Sequence, residues 1–173
     1  MKSKGMKKQQ GVGLVEVLIA LLVLAIGVLG YAGMQLTALK AAEDANNRAQ
    51  AALLAQDALE RFLANEAAMS TYTNVNSWPD AKSDPGTKPS GLNTCVDADC
   101  APPNLADWDI DVLSWQVANQ LQGGMIAVDA CGSGSPIHCV AVSWGDQDAG
   151  KCFDADGVNV GEGSECVVLE VSR

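Results

Sequence analysis

The sequence predicts an α+β chain, with a long N-terminal helix, apolar in its first half, packed on a small antiparallel β-sheet. Three observations carry that expectation. An uncharged apolar run passes into an amphipathic one, with no proline before Pro79. The last third alternates apolar β-branched stretches with glycine-rich turns. All six cysteines lie after residue 94.

Residues 1–11 form a short basic segment carrying Lys2, Lys4, Lys7 and Lys8 and ending in Gly11. Residues 12–34 follow, with a single acid, Glu16, at their head and no charge from Val17 to Met34. At 1.5 Å per residue this stretch spans about 35 Å, enough to cross a bilayer core of about 30 Å. No small-residue cleavage site follows Met34, so the segment reads as retained rather than as a secretory signal. The lysines place its start on the cytoplasmic side and send residues 40–173 across the membrane. Gly27, Gly30 and Gly33 recur at every third position, a pattern that suits close approach of a second helix.

Residues 35–69 continue as an amphipathic helix, so that one unbroken helix is expected from about residue 13 to 68. Its apolar stripe is read as Leu36, Leu39, Ala42, Ala45, Ala49, Ala52, Leu53, Leu59 and Leu63. Residues 70–173 make the head. Its first part, 70–104, is rich in Ser, Asn, Asp, Gly and Pro and reads as irregular. A second helix is expected over 105–121, with Trp108, Val112 and Trp115 on one face and Gln122-Gly123-Gly124 closing it. Strands are expected at 125–131, 139–144 and 166–171.

The charge balance excludes one class of partner. Without the four lysines before Gly11, the 11 basic residues fall to 7 against 21 acidic ones, a balance of −14. A head this acidic is no nucleic-acid binder, because phosphate contacts need Lys and Arg. The spacings of Cys95, Cys100, Cys131, Cys139, Cys152 and Cys166 include no CxxC pair. Beside a membrane segment, that points to disulfides in an oxidising compartment rather than to a metal. The preferred pairing, 95–100, 131–139 and 152–166, is one of fifteen. The acidic turn Asp154-Ala155-Asp156-Gly157 cannot be an EF-hand loop. The frame that fits Gly157 puts Cys152 at its first position and Gly163 at its last. His138 is the only histidine and reads as a turn or strand-end residue. No cofactor, metal or catalytic residue is called for.

Glu16 needs the strongest explanation, since an unpaired acid at membrane depth costs roughly 2.5–3.5 kcal/mol. Proteolysis after Gly11 would create an ammonium at Val12, one helical turn from Glu16. Gly11-Val12-Gly13-Leu14-Val15-Glu16-Val17-Leu18 resembles the class III signal of type IV pilins and pseudopilins. The resemblance implies a type IV pilin-like fold, cleavage by a prepilin peptidase between Gly11 and Val12, N-methylation of Val12, and use of Glu16 in assembly. Val12 stands where the family commonly has phenylalanine, and Gly13 where threonine or serine is frequent. The stretch from Glu16 to Gly30 is similar to the PilV group of minor pilins, known as type IV pilus modification proteins. So is Trp115 in a helix running into Gly123-Gly124. The implied partners are other pilins and minor pilins through their N-terminal helices, the prepilin peptidase and the inner-membrane assembly machinery. The implied location is the bacterial inner membrane, with the C-terminus periplasmic, and then the pilus. A minor pseudopilin of a type II secretion system would share the N-terminal features. A membrane-anchored periplasmic enzyme or sensor would need neither cleavage at Gly11 nor Glu16.

Overall fold

Helix α1 runs from Leu14 to Ala64 in the computed structural model, which describes residues 11, 13–90, 94–154, 157–161 and 163–171. The basic leader residues 1–10 lie outside the described residues, as do Val12 and, in the acidic turn, Asp156. The Gly13 carbonyl starts the helix by accepting from the Glu16 and Val17 amides at 3.0 and 3.3 Å. The chain divides into two compact units between Glu43 and Asp44, inside α1. The first unit is helical from Leu14 onward and its large apolar side chains are exposed.

Helix α1 stops earlier than its pattern suggests. Asn65 leaves helical geometry at φ −123°, ψ 52°, and a 3-10 turn (Glu66–Ala68) and a short helix α2 (Met69–Tyr72) follow. The Asn65 amide donates to the Pro102 carbonyl at 2.8 Å and to the Tyr72 hydroxyl at 3.2 Å. These long-range bonds offer Asn65 an alternative to the helix that local propensity does not reveal. The buried stripe also differs from the expected one. Ala51, Leu54, Ala55, Ala58 and Phe62 enter the core, while Leu53 and Leu63 remain 65% and 49% exposed. Alanine occurs on nearly every side of this helix, so the single large ring of Phe62 decides which side turns inward.

Helix α3 spans Pro102–Gln120, starting three residues before the expected Leu105 and ending one before Leu121. Pro102 occupies its first turn, where a missing N–H costs nothing, after Ala101 in extended geometry. Ala106, Ile110, Leu113 and Val117 face the core, whereas Trp108, Val112 and Trp115 lie half-buried on a flank. Gly123 has φ +65°, and a Cβ there would collide with the Gly145 carbonyl oxygen. That turn therefore needs glycine both for its backbone and for its space.

The strands are β1 (Met125–Ala130), β2 (His138–Ser143), the short pair β3 (Phe153–Asp154) and β4 (Gly157–Val158), and β5 (Cys166–Val171). β1, β2 and β5 form one antiparallel sheet in the order β1-β2-β5, and β3 pairs with β4. In register, Ile126, Val142 and Val167 form one row, and Val128, Val140 and Leu169 the next. These rows pack with the α1 and α3 stripes in one core, so two helices rather than one cover this face. The opposite face carries Met125, Ala127, Ala141 and Cys166 and is covered by Ala149, Cys152 and Phe153. A disulfide between Cys152 and Cys166 ties that cover to β5. Cys131–Cys139 closes the β1–β2 hairpin across 5.0 Å between Cα atoms, and Cys95–Cys100 closes a small ring before α3.

A buried polar cluster joins α1, α2 and α3. Arg61 donates to Asp109 at 2.8 Å and to Asp57 at 3.1 Å. The Tyr72 hydroxyl donates to the other Asp109 oxygen at 2.5 Å, and the Trp78 indole N–H donates to the Tyr72 carbonyl at 2.8 Å. Phe62 lies 4.5 Å from the Tyr72 ring, between centroids. Burial and the bond to the Asp109 carboxylate hold the Tyr72 hydroxyl well above the usual phenol range. Burial alone would lower the Arg61 pKa, but its bonds to Asp109 and Asp57 outweigh burial and raise it. Near the other end of the sheet, Arg48 lies 5.3 Å from the Trp144 ring centroid and donates to the Ser164 carbonyl at 2.9 Å.

Removing Asp109 strands a partly buried guanidinium and a buried hydroxyl. Asp109→Ala is expected to destabilise the head by about 3 kcal/mol, against under about 1 kcal/mol for the more exposed Asp57→Ala. Urea unfolding followed by tryptophan fluorescence compares the two, and equal losses would remove Asp109 as the centre of the cluster. Tyr72 sets a pH dependence. Its raised folded pKa makes the native state hold a proton that the unfolded state releases above about pH 10. Its contribution is therefore complete below about pH 10 and is lost as pH rises toward the folded value. Tyr72→Phe should flatten that alkaline fall in melting temperature, and an unchanged slope would exclude Tyr72 as its source.

Candidate assembly site at the N-terminus

The residues singled out at the head of the chain occupy the start of α1. Gly11 is exposed and precedes the helix, and Glu16 sits exposed in its first turn. An acid at a helix N-terminus interacts favourably with the unpaired amides and the positive end of the helix dipole. That accounts for Glu16 in water but not beside lipid. From Val17 to Met34 no charge follows, and Leu18, Leu22, Ile26 and Leu29 are each more than half exposed. This part of α1 is long and apolar enough to cross a membrane. Among the described residues, no ion pair reaches Glu16. Val12, whose amine would be the nearest new charge after cleavage, lies outside the described residues.

Gly27, Gly30 and Gly33 lie on the same helix, and a Cβ built on any of them meets nothing within 4 Å. The chain's own fold thus makes no demand for glycine at these positions. Successive members shift by about 60° around the helix, so the three span about a third of its circumference. They form a smooth, winding strip suited to a close neighbour.

The remaining candidates all belong to the second unit. The six cysteines form the three bonds described above, and no free cysteine remains. Among the described residues, no group of three His, Cys, Asp or Glu side chains converges to hold a metal. His138 opens β2 and borders a groove of about 350 Å³ with Met69, Ile137 and Val171. Trp78 and Trp144 are buried, and Trp108 and Trp115 are half-buried. The Asp109–Arg61–Tyr72 cluster escaped sequence reasoning. Its one trace is an acid at position 109 between the core residues Ala106 and Ile110.

Residues 6–32 match a family model described as the prokaryotic N-terminal methylation motif. Residues 33–111 match a second, described as type IV pilin Tt1218. No curated protein and no solved structure matches the chain. The two models adjoin and cover the apolar helix, its amphipathic continuation and most of α3. Neither is specific to the PilV group. Pilins of this kind are structural subunits rather than enzymes. With the long helix, the small antiparallel sheet and the two matched segments together, the chain is similar to type IV pilins over residues 33–111 and matches the prepilin-type methylation motif over residues 6–32.

Proposed function

We propose that this chain is a minor type IV pilin of the PilV kind, a membrane-stored subunit that is drawn into a pilus or helps to start one. The observation that carries the proposal is Glu16, exposed in the first turn of an uncharged apolar helix and five residues after Gly11. Hydrolysis of the Gly11–Val12 bond by the prepilin peptidase consumes one water and leaves a carboxylate on Gly11 and an amine on Val12. Methylating that amine leaves a secondary amine that still carries a proton at neutral pH. Its positive charge and the Glu16 carboxylate then offset each other's desolvation when subunits pack side by side.

Before assembly, the basic leader keeps the N-terminus cytoplasmic and the head on the periplasmic side. During assembly, Gly27, Gly30 and Gly33 admit neighbouring helices, and Glu16 pairs with the amine of an adjacent subunit and so fixes axial register. The partners are other pilins, the prepilin peptidase and the inner-membrane machinery that extracts the helix. The PilV-like run from Glu16 to Gly30 favours the pilus over a type II secretion pseudopilin, which would use the same N-terminal chemistry.

Mass spectrometry of the mature chain should find Val12 as the first residue, bearing one methyl group; an intact Met1 would refute the proposal. The Glu16→Gln variant should reach the membrane and be cut at the same bond. Its incorporation into fibres should fall by about a hundredfold or more, from loss of about 3–5 kcal/mol on breaking a buried charge pair. Wild-type incorporation of that variant would remove Glu16 from the mechanism.

A further inference from the structure

The two edges of the main sheet are unequal. Trp144 N–H donates to the Glu165 carbonyl, and in an antiparallel ladder this sets which β5 groups point inward. Val167, Leu169 and Val171 turn their backbone groups toward β2, so Cys166, Val168 and Glu170 turn theirs away from the sheet. Arg48 already takes the Cys166 carbonyl, at 3.4 Å. Among the described residues, the outward N–H and C=O of Val168 and Glu170 find no partner. Val168 is half-buried and Glu170 exposed. On β1 the corresponding outward residues are Ile126 and Val128, both buried, and Ala130, half-buried, whose N–H donates to the Asp129 carboxylate at 2.7 Å. β5 is therefore the open edge.

We propose that the β5 edge is a strand-addition site for an extended segment of another protein, one that alternates apolar and basic residues. Side chains of an added strand would alternate between the two faces of the sheet. On the helix-facing side they would run beside Leu169 and Val171 and toward the groove of about 350 Å³, whose lining of Met69, Pro136, Ile137 and Val171 is apolar and whose rim carries Thr73, His138 and Glu170. That side selects apolar residues. On the other side they would run beside Val168 and the exposed Glu170 carboxylate, which selects a basic residue. A formal charge of −10 opposes a second copy of this chain as the occupant and favours a cationic one. Natural sheets commonly guard an edge with charged side chains, proline or a bulge, and β5, Cys-Val-Val-Leu-Glu-Val, has the single charge of Glu170 and no proline. The inference is independent of the role assigned to Glu16.

Solvent-exchange NMR on the full chain in detergent micelles tests it, with an acetylated, amidated Lys-Val-Lys-Val-Lys-Val peptide as the probe. Without peptide, the Val168 and Glu170 amides should exchange rapidly while those of Val167 and Leu169 are protected. At a peptide concentration about ten times its Kd, exchange at Val168 and Glu170 should slow by about tenfold. A Glu-Val peptide of equal length should leave both amides unchanged, and Glu170→Lys should invert that preference. Val168→Pro removes an outward N–H without touching the β2 ladder, so it should abolish protection of Glu170 while Leu169 stays protected. Four results overturn the proposal. These are slow exchange of both amides without peptide, protection that grows with protein concentration alone, no response to the basic peptide, or an equal response to both peptides.

Discussion

A charge taken out of water must meet an opposite charge or a set of donors, and this chain faces that requirement at two places. In the second unit, Asp109 meets Arg61 and the Tyr72 hydroxyl, and the cluster joins α1 and its neighbour α2 to α3, with Tyr72 and Asp109 37 residues apart. At the N-terminus, Glu16 heads an uncharged helix and finds no such partner among the described residues. The head resolves its buried charge internally. The proposed assembly mechanism resolves the other one between subunits, which turns an unfavourable residue in an isolated chain into a device for register.

The head is held by layers of different kinds. One face of the β1-β2-β5 sheet is closed by the stripes of α1 and α3, centred on Phe62, Leu113 and Val140. Among the described residues, the other face is covered by a short turn and a two-stranded hairpin, and Cys152–Cys166 fastens that cover. Disulfides thus support the parts with the least apolar area, as expected where burial alone stabilises little. Arg48 adds a polar contact from α1 to the beginning of β5, beside the apolar core that both share.

Much of this was legible in the sequence because it rests on period and contiguity. The long apolar helix, the second helix and the three strands each announce themselves through local pattern, with bounds within a few residues. The motif around Gly11, Val12 and Glu16 was legible because its parts lie within six consecutive residues. What was not legible depends on distant partners. Asn65 ends α1 through Tyr72 and Pro102, the second of them 37 residues away. An alanine-rich helix offers several candidate stripes, and the choice of Ala51, Leu54, Ala58 and Phe62 follows from where the head packs. Asp109, seen alone, looks like one more surface acid in a strongly acidic chain.

In the proposed fibre the Glu16 carboxylate lies against the amine of a neighbouring subunit. Solid-state NMR on intact fibres measures this directly. This chain would carry ¹³C at the Glu16 carboxyl, and the surrounding subunits ¹⁵N at their N-terminal amines. The expected dephasing is that of a carboxyl carbon about 4 Å from the amine nitrogen, as in an ion pair. A carboxyl carbon that senses no amine, or only the Val12 amine of its own chain in a reciprocally labelled sample, would contradict it.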